Sequence, residues 1–152
     1  SNGNGLGDSC DFCPNCPNLA YGKPVTVSSN AGEASRVTDG QATYGAWQSN
    51  ANTGWARVDL GARYSVCSAR WFNSNRGVVN KGTRVWRMTI SDEEGEEVEV
   101  GRGDQGASTA DGQPNLVDFG LCQPGRFVTF YIDQSKGDRA TLGELQVYGE
   151  PL

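Results

Sequence analysis

Histidine is absent from this 152-residue chain, and so is any long apolar run. Without an imidazole there is no Ser-His-Asp or Cys-His arrangement to activate a nucleophile. The acidic residues at 92–97 crowd one turn instead of facing each other across a cleft, where a glycosidase needs its pair. Catalysis is therefore not expected. No stretch is apolar for long enough to cross a bilayer, and the opening residues carry no secretory signal, as expected of a mature or trimmed chain. Basic charge is scarce as well: 13 Lys and Arg against 18 Asp and Glu give a net charge of −5. That field repels phosphate backbones and anionic lipid, so neither nucleic acid nor membrane insertion is expected.

Apolar residues at helical spacing are missing too, and 21 glycines punctuate short alternating segments. This pattern predicts an all-β sandwich or barrel in one domain, 18–152, behind a Gly-, Asn- and Cys-rich extended leader, 1–17. In NLAYGKPVTVSS, Val25 and Val27 alternate with Thr26 and Ser28, with Pro24 at the strand's beginning or edge. In WARVDLG, Ala56, Val58 and Leu60 face one way while Arg57 and Asp59 face the other. YSVCSARWFNSNRG reads as a separate third strand. Trp86, Met88 and Ile90 share a face assigned to the core, and RFVTFYI is apolar on both faces, as in a central strand packed by both sheets. In TLGELQVYG, Leu145 and Val147 are expected to point inward, with Glu144 and Gln146 outward.

Residues 36–49, RVTDGQATYGAWQS, place an Asp-Gly step among short polar side chains. Calcium takes six to eight oxygen ligands. Asp39, Thr43 and Ser49 lie where glycines let the backbone fold back on itself, with Glu144 as the candidate second carboxylate. The plainer reading is a turn in which Asp39 bonds its own backbone. The acidic run Asp92, Glu93, Glu94, Glu96 and Glu97 lacks the oxygen spacing of a calcium loop and reads as a hairpin tip that keeps an edge soluble. Arg76, Lys81 and Arg84 flank one polar loop. Residues 101–115 look turn-rich and include Arg102-Gly103-Asp104, an integrin-recognition signal where it is displayed on an extended loop.

Five cysteines and no histidine favour an oxidised, exported protein. Cys10, Cys13 and Cys16 recur every third residue, but a zinc or iron–sulfur site needs a fourth ligand, so disulfide pairing is the preferred reading. The odd count leaves one thiol over.

NLAYGKPVTVSS, RVTDGQATYGAWQS, WARVDLG, PGRFVTFYI and LGELQVYG, in this order, resemble the discoidin-type, galactose-binding-like family, and most of all its fucolectin-like branch. The resemblance covers 18–148. It implies an eight-stranded antiparallel jelly-roll sandwich with its chain ends close together. It also implies a structural calcium ion held by the backbone oxygens of Arg36 and Gln41, by Asp39, by Ser49 through carbonyl and hydroxyl, by the carbonyl of Gly143, and by Glu144. The family's sugar site implies Asn52, Arg76, Lys81 and Arg84, although the family histidine is missing and Val78 stands at its Asp position, which argues against fucose. An Asn amide and cationic side chains still supply donors for vicinal hydroxyls. Tyr44 or Trp47 could add a stacking face, with Trp47 the better candidate for the core. Cys67, in a predicted strand, and Cys122, just before PGRFV, are expected to pair. The expected function is a secreted or cell-surface, non-catalytic, lectin-like module that binds glycan, the alternative being a protein-binding adhesion or structural module on the same scaffold.

Overall fold

The computed structural model describes residues 17–41, 46–74, 82–92, 96–105 and 114–152. The leader expected at 1–17, with Cys10, Cys13 and Cys16, lies outside these apart from Pro17, as do Thr43, Tyr44, Arg76 and Lys81. Eight strands and one short helix are formed among the described residues. In chain order they are β1 (Val25–Val27), a 3-10 helix (Ala31–Val37), β2 (Trp47–Gln48), β3 (Gly54–Phe72) and β4 (Thr83–Ser91). There follow β5 (Val98–Asp104), β6 (Pro114–Ser135), β7 (Thr141–Leu142) and β8 (Glu144–Pro151). All the strand pairings are antiparallel.

WARVDLG and YSVCSARWF, read from sequence as two strands, form one strand that turns at Gly61, whose φ of 88° suits glycine. The register of β3 on β6 shifts between Asp59 and Tyr64, and the continuous six-stranded ladder bends there into the two facing sheets of the sandwich, with β2 and β7 paired apart from it. In the first sheet, the early part of β3 and the late part of β6 lie between β1 on one side and β4 and β5 on the other. In the second, the late part of β3 sits between β8 and the early part of β6. The sheets face each other across an apolar core: Trp71 of the second meets Trp86 and Phe130 of the first at ring-centroid distances of 5.6 and 5.1 Å. Trp47, Ala56, Val58, Leu60, Met88, Ile90, Leu145 and Val147 are buried in the same cluster, as their alternation predicts. The first and last segments of the described chain meet where Asn18 bridges Tyr148 and the Leu19 N–H donates to the Val147 carbonyl at 2.7 Å.

Three readings change. β6 is central, between β3 and β4, with Val128, Phe130 and Ile132 buried, but Phe127 and Tyr131 are only half-buried on its outer face. That face is covered by arginines, not by the second sheet: Arg126 and Arg87 lie over Phe127 and Tyr131. Gly101 and Gly103 are not turn glycines; they belong to β5, where a Cβ on Gly103 would come within 2.7 Å of the Trp86 indole nitrogen. Glu144 does not point outward. It is fully buried, because the Asp39 loop packs over that side of β8.

Candidate functional site

The Asp39 loop is held from both sides. Asn30, at the helix start, donates its amide to Glu33 Oε1 at 2.8 Å and to the Gln48 carbonyl at 2.9 Å, tying the helix to β2. Val37 and Thr38 are buried, and the Thr38 hydroxyl donates to the Lys23 carbonyl at 3.0 Å. Asp39 therefore leaves the helix in a fixed direction. Its Oδ1 accepts the Gln41 N–H at 2.9 Å, the local turn that an Asp-Gly step favours. The Gly40 N–H donates to both carboxylate oxygens of Glu144, at 3.2 and 3.1 Å.

Burial and the neighbouring charge of Asp39 push the Glu144 carboxyl up to about 8. The buried Glu144 carboxylate thus neighbours that of the exposed Asp39, and among the described residues no basic side chain bonds to Glu144. The chemistry of such a pair is compatible with a hard divalent cation, which would supply the missing positive charge. Gly143 adjoins Glu144 and is anchored by its N–H to the Phe72 carbonyl at 2.8 Å. The Arg36 guanidinium turns away to Glu33 at 2.7 Å, which leaves only backbone oxygen to offer. The Ser49 hydroxyl is already filled: it donates to the Thr53 carbonyl at 2.7 Å and accepts the Ala51 N–H at 3.1 Å.

A second cluster lies at the end of the sandwich where the loops after β2 and β3 emerge. Asn52 is exposed, and its carbonyl accepts the Ser135 N–H at 3.0 Å. Ser135 is also the register partner of Thr83, so the Asn52 loop and the start of β4 are brought to the same strand end. Arg84 is exposed there and pairs with Asp104 at 3.4 Å. Below them is a buried polar network with no obvious signal in the sequence. Asn73 Oδ1 accepts the Thr83 N–H at 2.9 Å, the Thr83 hydroxyl donates to the Thr141 carbonyl at 2.9 Å, and the Thr141 hydroxyl donates to the Ser74 carbonyl. Asn73, Ser74 and Thr83 are the stems of the loop that carries Arg76 and Lys81, so both stems are pinned to β7.

Elsewhere, Cys67 and Cys122 are joined in a disulfide, with Cα atoms 4.1 Å apart. Arg102 and Asp104 lie along a strand and not on an extended loop, and are bonded to Glu99 and Arg84 respectively. Glu97, assigned to a solvated hairpin tip, instead accepts hydrogen bonds from Thr89 at 2.5 Å and Tyr131 at 2.8 Å on the sheet's outer face. Desolvation and that carboxylate raise the Tyr131 phenol above its ordinary range.

No family model matches the chain, and none of the curated proteins matches it in sequence. Solved structures do match. Chitosan-binding module 1, from a chitosanase/glucanase of Paenibacillus sp. IK-5, is 24% identical, with 88% of this chain and 99% of that one covered at a TM-score of 0.72. The lectin domain of lectinolysin, complexed with Lewis B antigen, is 23% identical over 88% and 97% of the two chains, at 0.70. The family 32 carbohydrate-binding module of NanJ from C. perfringens, in complex with galactose, is 22% identical over 82% and 92%, at 0.68. The fold is thus the β-sandwich seen in these carbohydrate-binding modules and this lectin domain.

Proposed function

We propose that this chain is a non-catalytic, extracellular carbohydrate-binding module of the discoidin and fucolectin type, stabilised by a structural calcium ion. The observation that carries the reading is the pinned loop end: Asn52, the stems around Arg76 and Lys81, and Arg84 emerge together from a buried polar network. Rigid, solvent-facing amide and cationic donors are what binding to vicinal hydroxyls requires. The neighbouring folds that hold galactose and Lewis B support the same reading. The disulfide suits an oxidising, extracellular setting. For calcium, the residues that fit are Asp39 and Glu144 through their carboxylates, and Arg36, Gln41, Ser49 and Gly143 through their carbonyls. When bound, the ion would neutralise the carboxylate pair and clamp β8 to the Asp39 loop.

A glycan array in calcium, with Arg76→Ala and Arg84→Ala alongside, tests the reading. Binding that either variant loses supports a site at these loops. Binding that both retain keeps the function and moves the site. Absence of binding by the folded protein overturns the reading and turns attention to the alternative protein-binding adhesion module.

A further inference from the structure

A groove of about 530 Å³ runs from the Asn52 loop onto the outer face of the first sheet, within the ~300–1,000 Å³ usual for small-ligand sites. Its lining includes Asn50 and Thr53 of that loop, Trp55 of β3, Arg87 of β4, and Tyr131 and Asp133 of β6. Strand register sets the last four side by side, Trp55 opposite Tyr131 and Tyr131 opposite Arg87. Arg87 is fixed in place, its Nε donating to Asp133 at 3.0 Å and its guanidinium lying 3.9 Å from the Tyr131 ring centroid. Only Nε of that guanidinium is so engaged, which leaves the other nitrogens as oriented donors. The second Asp133 oxygen, the Asn50 amide, the Thr53 hydroxyl and the Trp55 indole N–H likewise have no partner among the described residues. Trp55 also borders the adjoining recess around Thr26 and Phe127, and the Arg57 guanidinium lies over its ring, 5.7 Å from the centroid.

We infer that this groove is a second carbohydrate-binding surface, which takes the continuation of an uncharged oligosaccharide whose first sugar sits at the Asn52 loop. The inference rests on the carbohydrate-binding reading and adds the class of glycan: a chain of several neutral units and not a lone sugar. Charge selects the neutral ligand, because Arg87 and Asp133 are the ionised side chains of the lining and cancel each other. A half-exposed indole beside a hydroxyl, an amide and a braced Arg–Asp pair offers an apolar face with donors and acceptors at its rim. A pyranose ring has the complementary arrangement.

The tryptophans make the test specific. Trp47, Trp71 and Trp86 are buried, and Trp55 alone of the four is half-exposed. Acrylamide quenching of the full chain therefore reports on Trp55, and is measured with cello-, xylo-, manno- and N-acetylated chito-oligosaccharides of increasing length, alongside calorimetry. The expected result is protection of Trp55 by a bound oligosaccharide but not by its monosaccharide. Affinity should rise with length by about tenfold, an increment lost in Trp55→Ala and in Arg87→Gln while monosaccharide binding persists. Arg87→Gln, at a surface pair, covers the event that Trp55→Ala fails to fold. Oligosaccharide binding with no protection and no length dependence overturns the groove and leaves the carbohydrate reading intact. Failure of every glycan on the array and in this series to bind overturns both.

Discussion

Gly40 presents its backbone N–H to both carboxylate oxygens of Glu144, 104 positions further along the chain. A loop early in the chain and its last strand are thereby locked together at a buried acid. A cation here would bind the folded chain and not the unfolded one, so calcium at about a hundredfold its Kd should stabilise by about 2.7 kcal/mol. Thermal melts in calcium and in excess chelator should differ by several degrees, and Glu144→Gln should abolish the difference. Identical melts would remove the ion from the account.

The metal-free protein should respond to pH in an unusual direction. Glu144 is raised from 4.5 to about 8 in the fold, so the folded state holds its proton more tightly than the unfolded state does. Its contribution is fully present below pH 4.5 and is lost as pH rises through about 8. Asp59 has the opposite sign: the Arg126 guanidinium holds it low, and its contribution fades as pH falls below the ordinary carboxylate range. That pair is partly exposed and worth at most about 1 kcal/mol. Denaturant midpoints in chelator should therefore fall between pH 5 and 8, and Glu144→Gln should flatten the fall.

The disulfide closes a loop across 55 positions and links two strand regions that also pair through β3 and β6. Constraint of the unfolded chain by a loop of that length is worth about 4 kcal/mol. The double variant Cys67→Ala, Cys122→Ala should lower the unfolding free energy by about that amount in urea titration. A change under about 1 kcal/mol would show that the unfolded chain is already compact there.

Asn73→Ala would leave the buried Thr83 N–H without its acceptor. The cost should be about 1–3 kcal/mol of stability. Because Asn73 and Thr83 are stems of the Arg76–Lys81 loop, glycan affinity should fall as well, although neither residue faces solvent. Calorimetry on the folded variant separates the two effects; unchanged affinity would mean that the loop holds its shape without this bond.

The alternation of apolar and polar residues made most of the sandwich legible in the sequence. Ala56, Val58 and Leu60, and likewise Trp86, Met88 and Ile90, are buried as their period requires. What escaped was decided by partners distant in the chain. Gly101 and Gly103 read as turn residues, since nothing local reveals that Val117 fills the space a side chain would need at Gly101 and the Trp86 ring that at Gly103. Glu144 sits at an alternation position that points outward, and only the loop from Asp39 to Gln41 makes it interior. The Asn73, Thr83 and Thr141 network is written in common polar residues with no spacing to mark it. The need for a second carboxylate is what joined Glu144 to Asp39, and strand positions paired Cys67 with Cys122; family resemblance supplied the remaining calcium ligands and the sugar-site residues.

The two long strands have a further consequence. Each half of β3 pairs with a half of β6, and the halves belong to opposing sheets. Neither sheet can come apart without withdrawing backbone partners from the other, so the sandwich has no natural seam along which to open. Both sheets should be lost in one cooperative step. Contacts as distant as Asn18 with Tyr148 must also form before the fold closes, and that wide separation makes for slow folding from the unfolded chain.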